Sequence, residues 1–257
     1  MQLQPSRGSA ISGRVIVVSG AANGIGKALA LGFARDGALV VGIDRDERSL
    51  GSLAHAGVLT VIGDVTEPST FNDVTKLTTD HFGRVDVLVN NAGIACPGRI
   101  DELDPAAFSA TMAVHVFAAL SGIKAVAPVM RSQRYGRIIN LLSRAAELCL
   151  PGNVAYSSAK AALWALTRTA AAELADCGIL VNGLIPGMTN TAIWGRPRPE
   201  LQPPEAVYPT ALALATLPEH GPSGRVFWNL KEYRLFERTL GSAGGERSSS
   251  TKDSFPL

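Results

Sequence analysis

Cysteine is scarce in this chain: Cys96, Cys149 and Cys177 are three in 257 residues, an odd number at wide spacing. That excludes a disulfide framework and offers no paired metal-ligand pattern, so no metal is expected and a reducing, cytoplasmic compartment fits. A strong charge bias is missing too. The formal net charge is +2 and the arginines are scattered, apart from Arg196-Pro197-Arg198, which argues against a nucleic-acid partner. The N-terminus has no apolar core of the signal-peptide kind, and no uninterrupted apolar run reaches membrane-spanning length, so no membrane partner is expected. What is present, 46% hydrophobic and 18% charged residues, suits one large soluble domain.

Short β-branched runs at 15–19, 39–44, 58–63, 85–90, 137–142 and 179–185 alternate with helical stretches at 24–36, 67–82, 104–130 and 154–176. Continuous apolar strands between helices predict an α/β fold, a Rossmann-type doubly wound parallel sheet covered on both faces. Beyond residue 185 come a proline-rich stretch at 196–204, a helix near 205–217 and a last strand near 225–228. Residues 1–12 read as an N-terminal extension, 13–240 as a single domain, and 241–257, rich in Ser and Gly, as a disordered tail.

Two features carry chemistry. Tyr156 and Lys160 stand four residues apart on one predicted helix and therefore share a face, with Ser143 thirteen positions before the tyrosine. A phenol beside an ammonium is a proton donor and acceptor drawn toward neutral pH. Near the N-terminus, Ser19-Gly20-Ala21-Ala22-Asn23-Gly24-Ile25-Gly26 follows a strand and opens a helix. Its glycines allow a tight turn, a bare backbone for phosphate and close helix packing, although glycines also serve ordinary strand-to-helix turns. Asp44, at the end of the second strand, is placed to accept both hydroxyls of an adenosine ribose and to repel a 2′-phosphate, which favours NAD over NADP. It could instead cap the helix starting near Glu47, and Arg45 could hold a phosphate if Asp44 turned away.

Over about residues 13–191 these features resemble the short-chain dehydrogenase/reductase family. Gly20, Asn23, Gly24, Ile25 and Gly26 are similar to its cofactor motif, with Ser19 at the usual threonine position. Asp64-Val65 resembles its adenine-contacting pair, Asn90-Asn91-Ala92-Gly93 its central-strand motif, and Pro186-Gly187 with Thr191 the segment that clasps the nicotinamide end. Taken one at a time, Asp64, the Asn-Asn-Ala-Gly run and Pro186-Gly187 could be simple caps and turns.

The resemblance implies that Tyr156 is the acid/base and that Ser143 holds the substrate oxygen. It also implies that Lys160 reaches the nicotinamide ribose and lowers the phenol's pKa together with the oxidised cofactor's charge. It implies a homodimer or homotetramer paired through the long helices. Three departures stand out. His115 occupies a position that is usually asparagine, where the family breaks its long helix and holds a water linked to the lysine. Leu142 replaces a frequent second serine, and the end of the domain lacks the closing Gly-Gly, as in carbonyl-reductase-like members.

Segments 94–97, 145–154 and 188–194 should face the substrate, since open α/β sheets bind ligands beyond their strand C-termini. Cys96, Leu148, Met188 and Trp194 point to a hydrophobic alcohol or ketone, with Arg144 the one nearby cation able to attract a carboxylate. The expected function is NAD(H)-dependent interconversion of a secondary alcohol and a ketone. The alternatives are a non-redox epimerase, cyclase or dehydratase on the same scaffold, and a catalytically silent nucleotide sensor, which the intact Ser143, Tyr156 and Lys160 argue against.

Overall fold

The computed structural model describes residues 1–4 and 8–236. Its centre is an eight-stranded sheet: β1 Val15–Ser19, β2 Leu39–Asp44, β3 Leu59–Ile62, β4 Val87–Asn90, β5 Gly136–Leu141, β6 Ile179–Leu184, β7 Val226–Trp228 and β8 Lys231–Glu232. Strand order is β3-β2-β1-β4-β5-β6-β7-β8, so the winding reverses between β1 and β4 and opens a crevice at their C-terminal ends. Pairing is parallel from β3 through β7.

Helices cover both faces, and strand alternation sorts the side chains between them. Ile16 and Val18 point toward α1 (Gly24–Arg35), α2 (Glu47–Ala54) and α8 (Tyr208–Ala215), packing with Leu29, Phe33, Leu50 and Leu212. Val17 faces the other way, toward α3 (Thr70–Phe82), α5 (Ala118–Gln133) and α7 (Val154–Glu173), among Phe71, Val126 and Met130. With both faces buried, the inner strands are mostly apolar, with Asn90, Arg137, Asn140 and Asn182 among the buried polar exceptions.

Four details depart from the sequence expectation. The sheet is not wholly parallel, because β8 turns back antiparallel on β7 through Asn229 and Leu230, both at positive φ. The expected helix from residue 67 starts at Thr70, leaving Pro68 outside it. The long helix is interrupted: α4 (Pro105–Met112) passes through a π-helical turn, Ala113–Phe117, before α5. That whole span, Pro105–Gln133, is long and apolar enough by composition to cross a membrane, yet one face of it lies buried against the sheet. Finally, described residues of the expected N-terminal extension pack against the domain. Leu3 donates its N–H to the Leu230 carbonyl at 2.7 Å, and the Leu3 and Ile11 side chains are buried. The expected tail at 241–257 lies outside the described residues.

Candidate active site

The glycine turn is held from below by polar groups on β1 and β4. The Ser19 hydroxyl donates to the Val89 carbonyl at 3.3 Å and accepts from the Asn91 and Ala92 amides at 3.1 and 3.2 Å. Asn91 in turn donates through Nδ2 to the Ser19 and Gly20 carbonyls. A Cβ on Gly26 would lie 2.0 Å from the Gly20 oxygen, and one on Gly20 would lie 2.8 Å from the Ala92 Cα, so neither position admits a side chain. Gly24, at φ +52°, has Thr191 against it, with that threonine's methyl 3.1 Å from where a Cβ would be.

The N-terminus of α1 has no side-chain cap from Asn23 and no acidic residue in its first turn, leaving its amides available to an anion. Asp44 points at this turn: one carboxylate oxygen accepts from the Ala22 amide and the other from the Asp46 amide, each at 3.0 Å. Asp46, not Asp44, caps α2 by accepting from the Ser49 amide at 3.1 Å. Arg45 leans toward Asp64 at 3.8 Å. Asp64 is tied to the Thr66 amide and hydroxyl, which holds its carboxyl below the usual range, and Val65 beside it is buried. Uncapped helix amides, bare glycines and a carboxylate at a strand end together suit a pyrophosphate and a ribose diol.

At the C-terminal end of β5 stand the three residues singled out for proton chemistry. α7 buries Ala155, Ser157, Ala159 and Lys160, with Tyr156 and Lys160 one turn apart. Lys160, 4% exposed, donates from Nζ to the Leu141 carbonyl at 2.6 Å, and the same Nζ lies 5.4 Å from the Tyr156 ring centroid. The Ser143 side chain favours the ionised form of the Tyr156 hydroxyl, and its Oγ accepts from the Ala145 amide at 3.1 Å. Behind them a buried polar ladder ties β4 to β5 and β5 to α7, running Asn90 Nδ2 to Asn140 Oδ1 at 2.8 Å and Asn140 Nδ2 to Thr167 Oγ1 at 2.9 Å.

Burial dominates the titration of this group. The Tyr156 phenol is pushed up to about 12 by desolvation, against the opposing influence of Ser143, and the Lys160 ammonium is pushed down to about 7 by desolvation. Burial therefore acts against the draw toward neutrality expected of Lys160 and the oxidised cofactor's charge together.

His115 lies in the π turn, 2% exposed, its ring edge-on to Tyr156 with centroids 5.2 Å apart. Its Nε2 is 3.1 Å from the Ile94 nitrogen and 2.9 Å from the Ile94 oxygen, while Nδ1 is buried without a hydrogen bond. An asparagine amide offers a donor and an acceptor on separate atoms, whereas one imidazole nitrogen satisfies only one of these two backbone groups at a time. Desolvation first, and the Lys160 charge second, lower this imidazole to about 3, so it is neutral at physiological pH.

The remaining predicted positions divide. Pro186 and Thr189 are strapped by the Gln202 amide, which donates to the Pro186 carbonyl and, at 3.0 Å, to Thr189 Oγ1. Met188 and Leu148 are exposed, and Trp194 donates its indole N–H to the Thr189 carbonyl at 2.7 Å. Arg144 is not a free cation: it lies 3.9 Å from Glu147 and its guanidinium sits 5.5 Å from the Trp228 ring. A cleft of about 430 Å³ flanks α7, lined among others by Arg99, Ile100, Leu150, Val154 and Ser157; segment 145–154 contributes to it, but Ser143 and Tyr156 do not. Sequence reasoning passed over Asp46, Asn140, Thr167, Glu147 and Tyr233. Of these only Glu147 carried a signal, an acid four residues from Ser143.

Comparison with known proteins agrees with this geometry. The family described as short chain dehydrogenase matches residues 14–202. The (2S)-[(R)-hydroxy(phenyl)methyl]succinyl-CoA dehydrogenase subunit BbsD of Thauera aromatica is 37% identical over 190 residues, covering 72% of this chain and 76% of that protein. The 2-(R)-hydroxypropyl-CoM dehydrogenase of Xanthobacter autotrophicus is 36% identical over 201 residues, covering 74% and 80%. Dehydrogenase/reductase SDR family member 6 of Xenopus laevis is 37% identical over 197 residues, covering 74% and 79%.

Proposed function

The chain belongs to the short-chain dehydrogenase family, and from that premise we propose that it is an NAD(H)-dependent oxidoreductase interconverting a secondary alcohol and a ketone on a mainly hydrophobic small molecule. The observation that carries the reading is Tyr156 with the Ser143 side chain acting on its hydroxyl and Lys160 Nζ 5.4 Å from its ring centroid, beyond the C-terminal end of β5. Gly20, Asn23, Gly24, Ile25, Gly26, Asn91, Ala92, Gly93, Pro186, Gly187 and Thr191 would hold the dinucleotide, Asp64 and Val65 its adenine, and Asp44 its ribose diol. Asp44 supports NAD because a fixed carboxylate there would repel a 2′-phosphate, and Arg45 leans toward Asp64 instead. A nicotinamide supplies or accepts hydride when bound.

The chain's own residues handle the proton and the oxygen. Tyr156 donates its proton to the carbonyl oxygen in reduction and takes it from the hydroxyl in oxidation. Ser143 hydrogen-bonds the same oxygen and holds it against the phenol. Lys160 keeps a cation within reach of a phenolate. His115 supports the turn after β4 as a neutral ring. Two of the similar proteins are named as dehydrogenases of hydroxy compounds, which supports the reaction class.

Phe117 and Leu120, 59% and 40% exposed on the long helix, support a homodimer or homotetramer. The three cysteines, all free, are consistent with a cytoplasmic setting. The test is absorbance of reduced nicotinamide with a panel of secondary alcohols and ketones, under NAD and NADP in parallel. Turnover favouring NAD supports the proposal; substrate conversion without net redox change, or a clear preference for NADP, would reject it.

A further inference from the structure

The turn that carries Ser143 is fastened at its far end to the C-terminal segment. Ser143 begins it, accepting the Ala145 amide at Oγ and the Ala146 amide at its carbonyl, and the four-residue helix α6 (Ala145–Leu148) carries Glu147. The Glu147 side chain is 11% exposed. One of its carboxylate oxygens accepts the Tyr233 hydroxyl, and the other accepts the Phe236 amide at 3.0 Å. Arg144 completes the group, 3.9 Å from Glu147 and stacked near both Trp228 and Tyr233, whose rings lie 5.9 Å apart.

This fastening matters because the strand ladder stops early. β8 is two residues long, and the Tyr233 amide, bonded to the Val226 carbonyl at 2.8 Å, makes the last ladder-like contact. Past that point the contacts of the chain include Glu147, Trp164, whose ring meets that of Phe236 at 4.8 Å, and the apolar cluster of Leu142 and Ala146 in which Leu235 is buried. A carboxylate that accepts from two points three residues apart fixes both position and direction, which one apolar contact would not do.

We propose that Glu147 is a positioning residue: by binding Tyr233 and Phe236 it clamps the C-terminal segment to the 143–149 turn and so sets the orientation in which Ser143 meets the substrate oxygen. The inference rests on the reading of Ser143 as the group that holds that oxygen. It assigns a catalytic consequence to residues outside the matched region, since Tyr233 and Phe236 lie beyond residue 202.

The experiment uses the full chain carrying Tyr233→Phe, which removes one hydroxyl, Glu147→Gln, and the pair together. Amides of residues 143–149 should exchange deuterium roughly tenfold faster in either single variant, the effect of losing one hydrogen bond to a charged group. With a substrate found in the panel, kcat should fall about tenfold while NADH affinity, read by fluorescence, stays within about twofold, and the double variant should be no worse than the worse single one. Unchanged exchange at 143–149 overturns the inference whatever the substrate is. So does a kcat equal to the parent's, or a loss that falls equally on NADH binding, which would mark general destabilisation. Absence of turnover in the parent would instead count against the proposed function, and the exchange measurement would still decide the clamp.

Discussion

Replacing Lys160 with methionine separates what the buried ammonium costs the fold from what it contributes to the site. Lys160 is 4% exposed and titrates at about 7 instead of 10.5 because burial disfavours its charge. At 1.36 kcal/mol per pH unit, that fall corresponds to about 5 kcal/mol of folded-state penalty once the group is charged in both states. The sign follows from proton counting. Between pH 7 and 10.5 the unfolded chain holds a proton that the folded chain has released, so this residue makes stability rise with pH across that window; the penalty is complete below about 7 and gone above 10.5.

Methionine fills similar space without charge but leaves the Leu141 carbonyl without its donor, at about 1–3 kcal/mol. The net gain at pH 6 should be about 2–4 kcal/mol, or roughly 5–10 °C in Tm for a domain of this size. Thermal unfolding of parent and variant at pH 6 and pH 10.5 is the assay. The variant should be inactive, more stable at pH 6, and level with or below the parent at pH 10.5. A variant less stable at pH 6, or a gain that persists unchanged at pH 10.5, would refute the burial argument.

Asp44→Ala should weaken NAD binding by about ten- to a hundredfold, the worth of hydrogen bonds to a charged group, and narrow the preference against NADP; titration of both nucleotides measures it. Gly26→Ala places a methyl 2.0 Å from the Gly20 oxygen and should abolish binding of either nucleotide, checked by the same titration. His115→Asn should preserve or raise activity, because an amide satisfies both Ile94 groups, and a collapse of activity would assign the imidazole a specialised role. The variant should also resist acid better. With the imidazole at about 3 folded and 6.5 unfolded, the parent loses stability as pH falls from 6.5 toward 3, and denaturant midpoints at pH 7 and pH 4 should show that difference shrink in the variant.

Much of this architecture was legible in the chain because parallel strands buried on both faces leave long apolar runs, and because a glycine turn between a strand and a helix stands in order with the other motifs. Residues 15–19 and 39–44 were read to the residue, and the i, i+4 relation put Tyr156 and Lys160 on one face. The hairpin of β7 and β8 was not legible. Its turn is Asn229-Leu230, without the glycine that usually marks positive φ, and β8 is too short to show alternation. The cap of α2, which the sequence offered to Asp44 alone, belongs to Asp46, because only the folded geometry puts that carboxylate on the Ser49 amide.

The burial that raises the Tyr156 phenol was not legible, because spacing reports proximity to Lys160 and nothing about desolvation. Arg144 looked available for the same reason, since its partner Glu147 and the rings of Trp228 and Tyr233 meet it only in three dimensions.

The central claim is that the Tyr156 hydroxyl moves the proton, and Tyr156→Phe tests it most directly, in single-turnover hydride transfer with the best alcohol or ketone of the panel and in parallel NADH binding. The account predicts transfer reduced to background with NADH affinity nearly unchanged. Turnover close to the parent's would contradict it.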